Sequence, residues 1–198
     1  IEVDPLNVGV EFAAGRTMTK VHADYAINGT YFNTPKPQFR DSIWQIAVQD
    51  GQALGSNSWT NSYQGTKKGT MVCFENGQVI MDRFNNLTEI EKLGLGKVKW
   101  AIGGNALYPS YNLRIEGVLS DIARNTAHTV LAYTKDKKVL LLTTRENRSL
   151  NDVRKDLLNT FSLYSAINLD GGGSTSMRAN GKIIKDQGRK LSTIIRVL

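Results

Sequence analysis

The run Asp170-Gly171-Gly172-Gly173-Ser174-Thr175 is the place in this sequence where residue types and spacing could do chemistry. It follows the apolar stretch Ala166-Ile167-Asn168-Leu169, so the Asp170 carboxylate is expected at the end of a buried strand. Three successive glycines permit positive φ and let backbone N–H groups turn toward a bound anion. Ser174 and Thr175 add hydroxyl donors. A fixed carboxylate beside such donors suits cleavage at a sugar–phosphate bond. Gly171, Gly172 and Gly173 would hold the phosphate. Asp170 would stabilise positive charge on the sugar ring, attack it, or activate water. The same residues also read as a tight turn that needs glycine and is capped by its aspartate.

Two other segments share this make-up: Ala26-Ile27-Asn28-Gly29 and Ala101-Ile102-Gly103-Gly104-Asn105. Each is a small and β-branched strand that stops at Asn and Gly, where backbone can approach a ligand closely. Side by side, the three strand ends would make one pocket. Asn28 would bind a sugar hydroxyl or acetamido group, with Gly29 opening the backbone beside it, and Asn105 follows the same logic. Tyr31 and Phe32 would stack on a sugar or pack in the core. His128, one of two histidines, is a candidate general acid or base, or a satisfied core histidine. Arg124 is a candidate phosphate clamp or a surface arginine. Glu116 would supply a second carboxylate.

Other chemistries lack their residues. There is no close histidine pair, no paired cysteines and no loop of alternating acids, so no metal site and no cofactor are expected. A divalent cation beside Asp170 stays compatible with its carboxylate. The phosphate-loop, dinucleotide and serine-elbow patterns are missing. The one cysteine, Cys73, excludes an intrachain disulfide and sits in an apolar run that suggests a buried thiol.

The elements that must position these residues are mostly strands. Residues 43–49, 69–75, 78–83, 139–144, 164–169, 182–185 and 192–198 carry strand patterns, and Asp50-Gly51, Asn76-Gly77 and Asn180-Gly181 signal hairpins. Thr88 with Glu91 has capping-box spacing and opens a short helix ending near Gly94. Ser149 caps a second helix over 149–164, with Leu150, Val153, Leu157, Leu158 and Phe161 on one face. Strand 139–144, this helix and strand 164–169 are expected to form a right-handed βαβ crossover. The class is then α+β, a mixed β-sheet with few helices, and 198 residues fit one domain. Residues 51–68, rich in Gly, Ser, Asn and Gln, read as a long surface loop.

The formal charge of +7 favours anionic partners. Lysine and arginine are scattered, however, so the reading is a phosphorylated glycan and no specific nucleic acid. No long apolar run predicts membrane insertion. Oligomeric state is not legible.

The segment 168–177, Asn-Leu-Asp-Gly-Gly-Gly-Ser-Thr-Ser-Met, resembles the signature of the phosphodiester glycosidase family. Residues 26–33 resemble that family's earlier motif, which usually has glycine where Thr30 stands, and residues 101–104 resemble its middle motif. Order and spacing agree from about residue 21 onward. The resemblance implies a hydrolase that removes a sugar, N-acetylglucosamine among the candidates, from a sugar-1-phosphodiester. Members from bacteria and their phages imply surface polysaccharide or teichoic acid as substrate, and an extracellular, cell-surface or virion-associated setting. One departure stands out. The family usually opens the strand before the helix with Arg-Thr, and here His128-Thr129 stands in that place. Either His128 replaces the arginine or a short insertion brings Arg124 in. A glycan-binding module without catalysis is the alternative reading, and non-specific nucleic-acid binding a third.

Overall fold

The computed structural model describes residues 1–32, 43–55, 67–118 and 120–198. The expected loop 51–68 therefore lies mostly outside the described residues, as does Asn33. In chain order the chain forms β1 (Glu2–Val3), β2 (Val8–Phe12), β3 (Ala26–Asn28), β4 (Ala47–Gln49), β5 (Gln52–Ala53), β6 (Lys68–Phe74), β7 (Val79–Phe84) and α1 (Leu87–Glu91). There follow β8 (Val98–Gly103), β9 (Asn105–Tyr108), α2 (Ser120–Ala123), β10 (Thr129–Thr134), β11 (Val139–Thr143) and α3 (Leu150–Thr160). The last strands are β12 (Leu163–Asn168), β13 (Met177–Ala179), β14 (Lys182–Lys185) and β15 (Thr193–Val197).

These strands build three sheets, ordered β1-β11-β10-β12-β9, β14-β13-β3-β15-β2 and β5-β4-β8-β6-β7. A strand turns alternate side chains to opposite faces, and here both faces are covered. From β10, Leu131 and Tyr133 join a central core with Ile27, Met71, Trp100, Ile102, Ile167 and Ile195, which come from all three sheets. Val130 and Ala132 point the other way, onto Leu150, Val153 and Leu157 of α3. Two-sided burial explains the continuous apolar runs seen in the sequence. Each of those α3 side chains contributes about 1.5–3 kcal/mol by leaving water. On the third sheet, Ile90 of α1 covers Val72, Phe74 and Ala101 in the same manner.

The α+β class holds, but the mixed sheet does not form: every strand pairing among the described residues is antiparallel. Strands β11 and β12 are both antiparallel to β10, which lies between them, so they share a direction without bonding to each other. The expected βαβ unit of paired parallel strands is therefore not formed: β10, joined to β11 by a tight turn, lies between them. All three hairpin signals fall at turns, between β4 and β5, β6 and β7, and β13 and β14.

Helix starts follow the side chain that reaches the free amide. Ser149 Oγ accepts from the Asp152 amide at 3.2 Å and opens α3 as expected. The helix ends at Thr160, short of residue 164, because Phe161 turns extended and the chain enters β12. The α1 cap is Asn86 rather than Thr88: Asn86 Oδ1 accepts from the Glu89 amide at 3.0 Å, and the Glu89 carboxylate accepts from the Asn85 amide at 3.0 Å. The strand expected at 43–49 is regular only over Ala47–Gln49, while Ile43 makes an isolated bridge to Phe32. Cys73 is fully buried, and burial pushes its thiol up to about 12, far from a nucleophile's range.

Candidate active site

The three Asn/Gly strand ends do meet. Asn105 pairs directly opposite Asn168 at the junction of β9 and β12. The Asp170 amide donates to the Gly29 carbonyl at 3.2 Å. Asn28 is 1% exposed, and its amide ties three segments together. Its Nδ2 donates to the Asp170 carbonyl at 2.7 Å, and its Oδ1 accepts from Thr129 Oγ1 at 2.6 Å and from the Ser176 amide at 2.9 Å. Asn28 therefore positions the Asp170 loop from below and does not line the cleft above it. Gly29 has a packing reason: a Cβ there would sit 2.3 Å from Thr193 Oγ1.

Above this clamp lies a cleft of about 300 Å³. Asp170 lines it, partly exposed, as do Gly171, Gly172, Gly173, Arg124 and His128. Asp170 is the only carboxylate lining it among the described residues. Its Oδ1 accepts from the Gly171 amide at 2.9 Å. The Gly172 amide, at φ +57°, donates to the Ala127 carbonyl at 2.7 Å. Two of the three glycine amides thus bond within the protein, which corrects the expected three-amide anion nest. The glycines serve close approach instead. A Cβ on Gly171 would lie 2.7 Å from the Ala127 carbonyl oxygen, and one on Gly173 would lie 2.9 Å from the Arg189 guanidinium.

That guanidinium was not expected from the sequence. Arg189 lies over Gly173, reaches Ser174 Oγ at 3.4 Å and lines the cleft. It stands in the polar stretch 186–190, where no motif marks it; only its position a few residues before β15, which returns beside β3, could have hinted at it. Arg124 is exposed at the cleft mouth, just past α2. Two arginines and one carboxylate thus share the cavity. Ser174 and Thr175 lie beneath it, buried, and the Thr175 hydroxyl has no hydrogen-bond partner among the described residues.

His128 is 1% exposed and forms part of the floor. Its Nε2 faces the Arg148 carbonyl oxygen at 2.9 Å, and Nδ1 faces Asn168 Oδ1 at 3.1 Å. Asn168 Nδ2 lies 2.6 Å from Tyr31 Oη. Both ring nitrogens meet oxygen, an arrangement that suits a charged imidazole. Burial, however, pushes the His128 pKa below the ordinary histidine value, against the opposing pull of these hydrogen bonds. The neutral ring at pH 7 keeps Nε2–H on the Arg148 carbonyl. It then requires the Asn168 amide to turn over, so that Nδ2 donates to Nδ1 and Oδ1 accepts from Tyr31. Either way both nitrogens are engaged within the protein, on the Arg148 carbonyl and the Asn168 amide.

Glu116 and Asn105 do not line this cleft. The Glu116 carboxylate is buried, bound by Arg83 Nε at 2.8 Å, by Asn105 Nδ2 at 3.2 Å and by the Ala106 amide at 3.0 Å. Burial raises its pKa despite the arginine. Lys68, whose pKa burial lowers, donates to the Glu116 carbonyl. This is a buried polar cluster that fixes the turn 113–117 onto β6 and β9. No group of three or more His, Cys, Asp or Glu side chains gathers among the described residues, and no described helix is long and apolar enough to cross a membrane.

Sheets that converge on a small cleft lined by a carboxylate and two guanidinium groups define an α+β protein with a charged cleft. The chain belongs to the phosphodiester glycosidase family, whose sequence profile matches residues 22–198. Among solved structures it is similar to the zebrafish N-acetylglucosamine-1-phosphodiester alpha-N-acetylglucosaminidase catalytic domain, auto-inhibited by its pro-peptide. The TM-score is 0.75 at 21% identity, covering 98% of this chain and 74% of that one. It is also similar to a hypothetical protein from Synechocystis, with a TM-score of 0.66 at 12% identity, covering 99% of this chain and 58% of that one. At such identities the likeness is one of fold. No curated protein matches the chain.

Proposed function

We propose that this chain hydrolyses a sugar-1-phosphodiester, with water replacing the phosphate oxygen at the anomeric carbon. The observation that carries the reading is the shared cleft of Asp170, Arg124 and Arg189. The guanidinium groups pair with the phosphate oxygens and orient the diester. As the anomeric C–O bond breaks, its electron pair leaves on the phosphate oxygen, where the arginines stabilise it. Positive charge grows on the ring, where Asp170 stabilises it. Water then adds to the anomeric carbon and gives up one proton, leaving a free sugar and a phosphomonoester. A phosphodiester is a good leaving group, so the step does not require a strong general acid, in keeping with the engaged nitrogens of His128. The likeness to an N-acetylglucosamine-1-phosphodiester alpha-N-acetylglucosaminidase supports N-acetylglucosamine as the sugar; a surface polysaccharide or teichoic acid as its source is part of the same proposal. One such unit over residues 1–198 is part of this reading, supported by a core that draws on all three sheets.

The test is release of sugar from a synthetic N-acetylglucosamine-1-phosphodiester by the pure protein. Asp170→Asn keeps the oxygen that accepts from Gly171, so the fold stays intact while turnover falls by about 10³-fold. Near-normal turnover in that variant removes Asp170 from the mechanism. Binding of the diester without release of sugar supports a glycan-binding module instead, a reading favoured by the two glycine amides that bond within the protein.

A further inference from the structure

A second cavity, of about 570 Å³, lies at the other end of β12. Tyr164 stands there 52% exposed, next to the start of the strand whose far end leads to Asp170. The two are six positions apart in sequence, roughly 20 Å at strand rise. Tyr164 stacks on Tyr133, with ring centroids 5.8 Å apart and planes at 28°. Tyr133 is itself buried, so the pair forms a supported aromatic platform with one side open.

Two tight turns frame the platform. In the β6–β7 turn, the Gln78 amide donates to Asn76 Oδ1 at 2.9 Å. In the β10–β11 turn, Lys137 sits at φ +60° and its amide donates to the Thr134 carbonyl at 3.0 Å. Both backbones are thus fixed, while the Gln78 amide group and the Lys137 ammonium bond to no protein group among the described residues. Lys137 is also the only charged side chain lining the cavity among the described residues. An open aromatic face with amide and ammonium donors around it matches a pyranose ring. The C–H face of the sugar lies on the tyrosine, and its outward hydroxyls meet the polar rim. The Lys137 charge in the lining adds a preference for a phosphate-bearing chain. A cavity of this size takes more than one sugar unit.

We infer that the Tyr164–Tyr133 platform with Gln78 and Lys137 is a second, non-catalytic contact site for a phosphodiester-bearing glycan polymer. The inference rests on the glycan reading above for the identity of its ligand. It gives the protein a hold on a polymer that a monomeric diester, confined to the Asp170 cleft, would not exploit.

The probe is purified poly(N-acetylglucosamine-1-phosphate), whose repeats are joined by sugar-1-phosphodiesters, bound at equilibrium to the full chain carrying Asp170→Asn so that cutting is slowed. In that background Tyr164→Ala and, separately, Lys137→Ala weaken affinity about ten-fold, a change of about 1.4 kcal/mol. Tyr164→Phe retains affinity. In the otherwise unaltered chain, Tyr164→Ala and Lys137→Ala leave the KM for a monomeric N-acetylglucosamine-1-phosphodiester unchanged. Absence of polymer binding, affinity in both variants equal to that of the Asp170→Asn parent, or a KM that moves with them overturns the inference. Monomer hydrolysis is read separately. If it fails while polymer binding still depends on Tyr164, the enzymatic reading falls and this one stands.

Discussion

Replacing Asn28 by alanine separates a residue that binds a ligand from one that positions the Asp170 loop. The amide donates to the part-buried Asp170 carbonyl and accepts from the buried Thr129 Oγ1 and Ser176 amide. Alanine leaves three buried polar groups without their partner, each at about 1–3 kcal/mol. The Thr129 hydroxyl can rotate and neighbouring losses are not additive, so the expected total is about 3–5 kcal/mol. Against a total stability of about 5–15 kcal/mol this is a large fraction. With a urea slope of about 2–3 kcal/mol/M, the unfolding midpoint falls by roughly 1–2 M. The assay is equilibrium urea unfolding followed by fluorescence, paired with kcat and KM on the monomeric diester. Stability and kcat fall together, because Asp170 loses its tether. A midpoint unchanged within about 0.3 M, accompanied by a raised KM, would refute the positioning argument and restore Asn28 as a ligand for the sugar.

Arg189→Ala removes a guanidinium from the cleft and raises KM for the diester about 10- to 100-fold with little change in the melting temperature, a contrast read by steady-state kinetics and thermal unfolding. Gly171→Ala forces a methyl to 2.7 Å from the Ala127 carbonyl, so the loop must shift; stability drops by about 1–3 kcal/mol and turnover drops with it, as unfolding and rate measurements will show. His128 has a folded pKa below its unfolded value of about 6.5, so the unfolded chain binds the extra proton first. Its contribution to stability is complete above pH 6.5 and is lost as pH falls through the folded pKa, a slope that urea unfolding between pH 7.5 and 5 reveals and that His128→Gln flattens.

The local devices of this fold were legible because their causes are local. Asn76-Gly77 and Asn180-Gly181 need left-handed backbone, and Ser149 with Asp152 satisfies helix amides from a distance of three residues. Thr88 misled because Asn86, two residues earlier, caps the helix instead, on the Glu89 amide. Strand pairing was not legible: the apolar run 139–143 does not say whether its neighbour is β10 or β12. At the site, the position of Asp170 followed from its strand, and the convergence of the three Asn/Gly ends followed from their likeness. The roles did not. A glycine run reads identically whether its amides face a ligand or its missing side chains admit a carbonyl and a guanidinium, and Gly171 and Gly173 do the second. Asn28 and Glu116 looked available because sequence does not reveal that Ser176, Thr129, Arg83 and Ala106 occupy them. Arg189 carries no local mark at all.

The row Tyr31, Asn168, His128 and the Arg148 carbonyl has a sense of direction. With the imidazole uncharged, each member hands a hydrogen to the next, starting from the phenol and ending on the peptide oxygen. Dipoles aligned head to tail in this way reinforce one another. A phenol that has given its hydrogen away carries extra electron density on its oxygen. The polarity of the Tyr31 oxygen, at the rim of the cavity, is thereby set by a buried histidine that does not touch it.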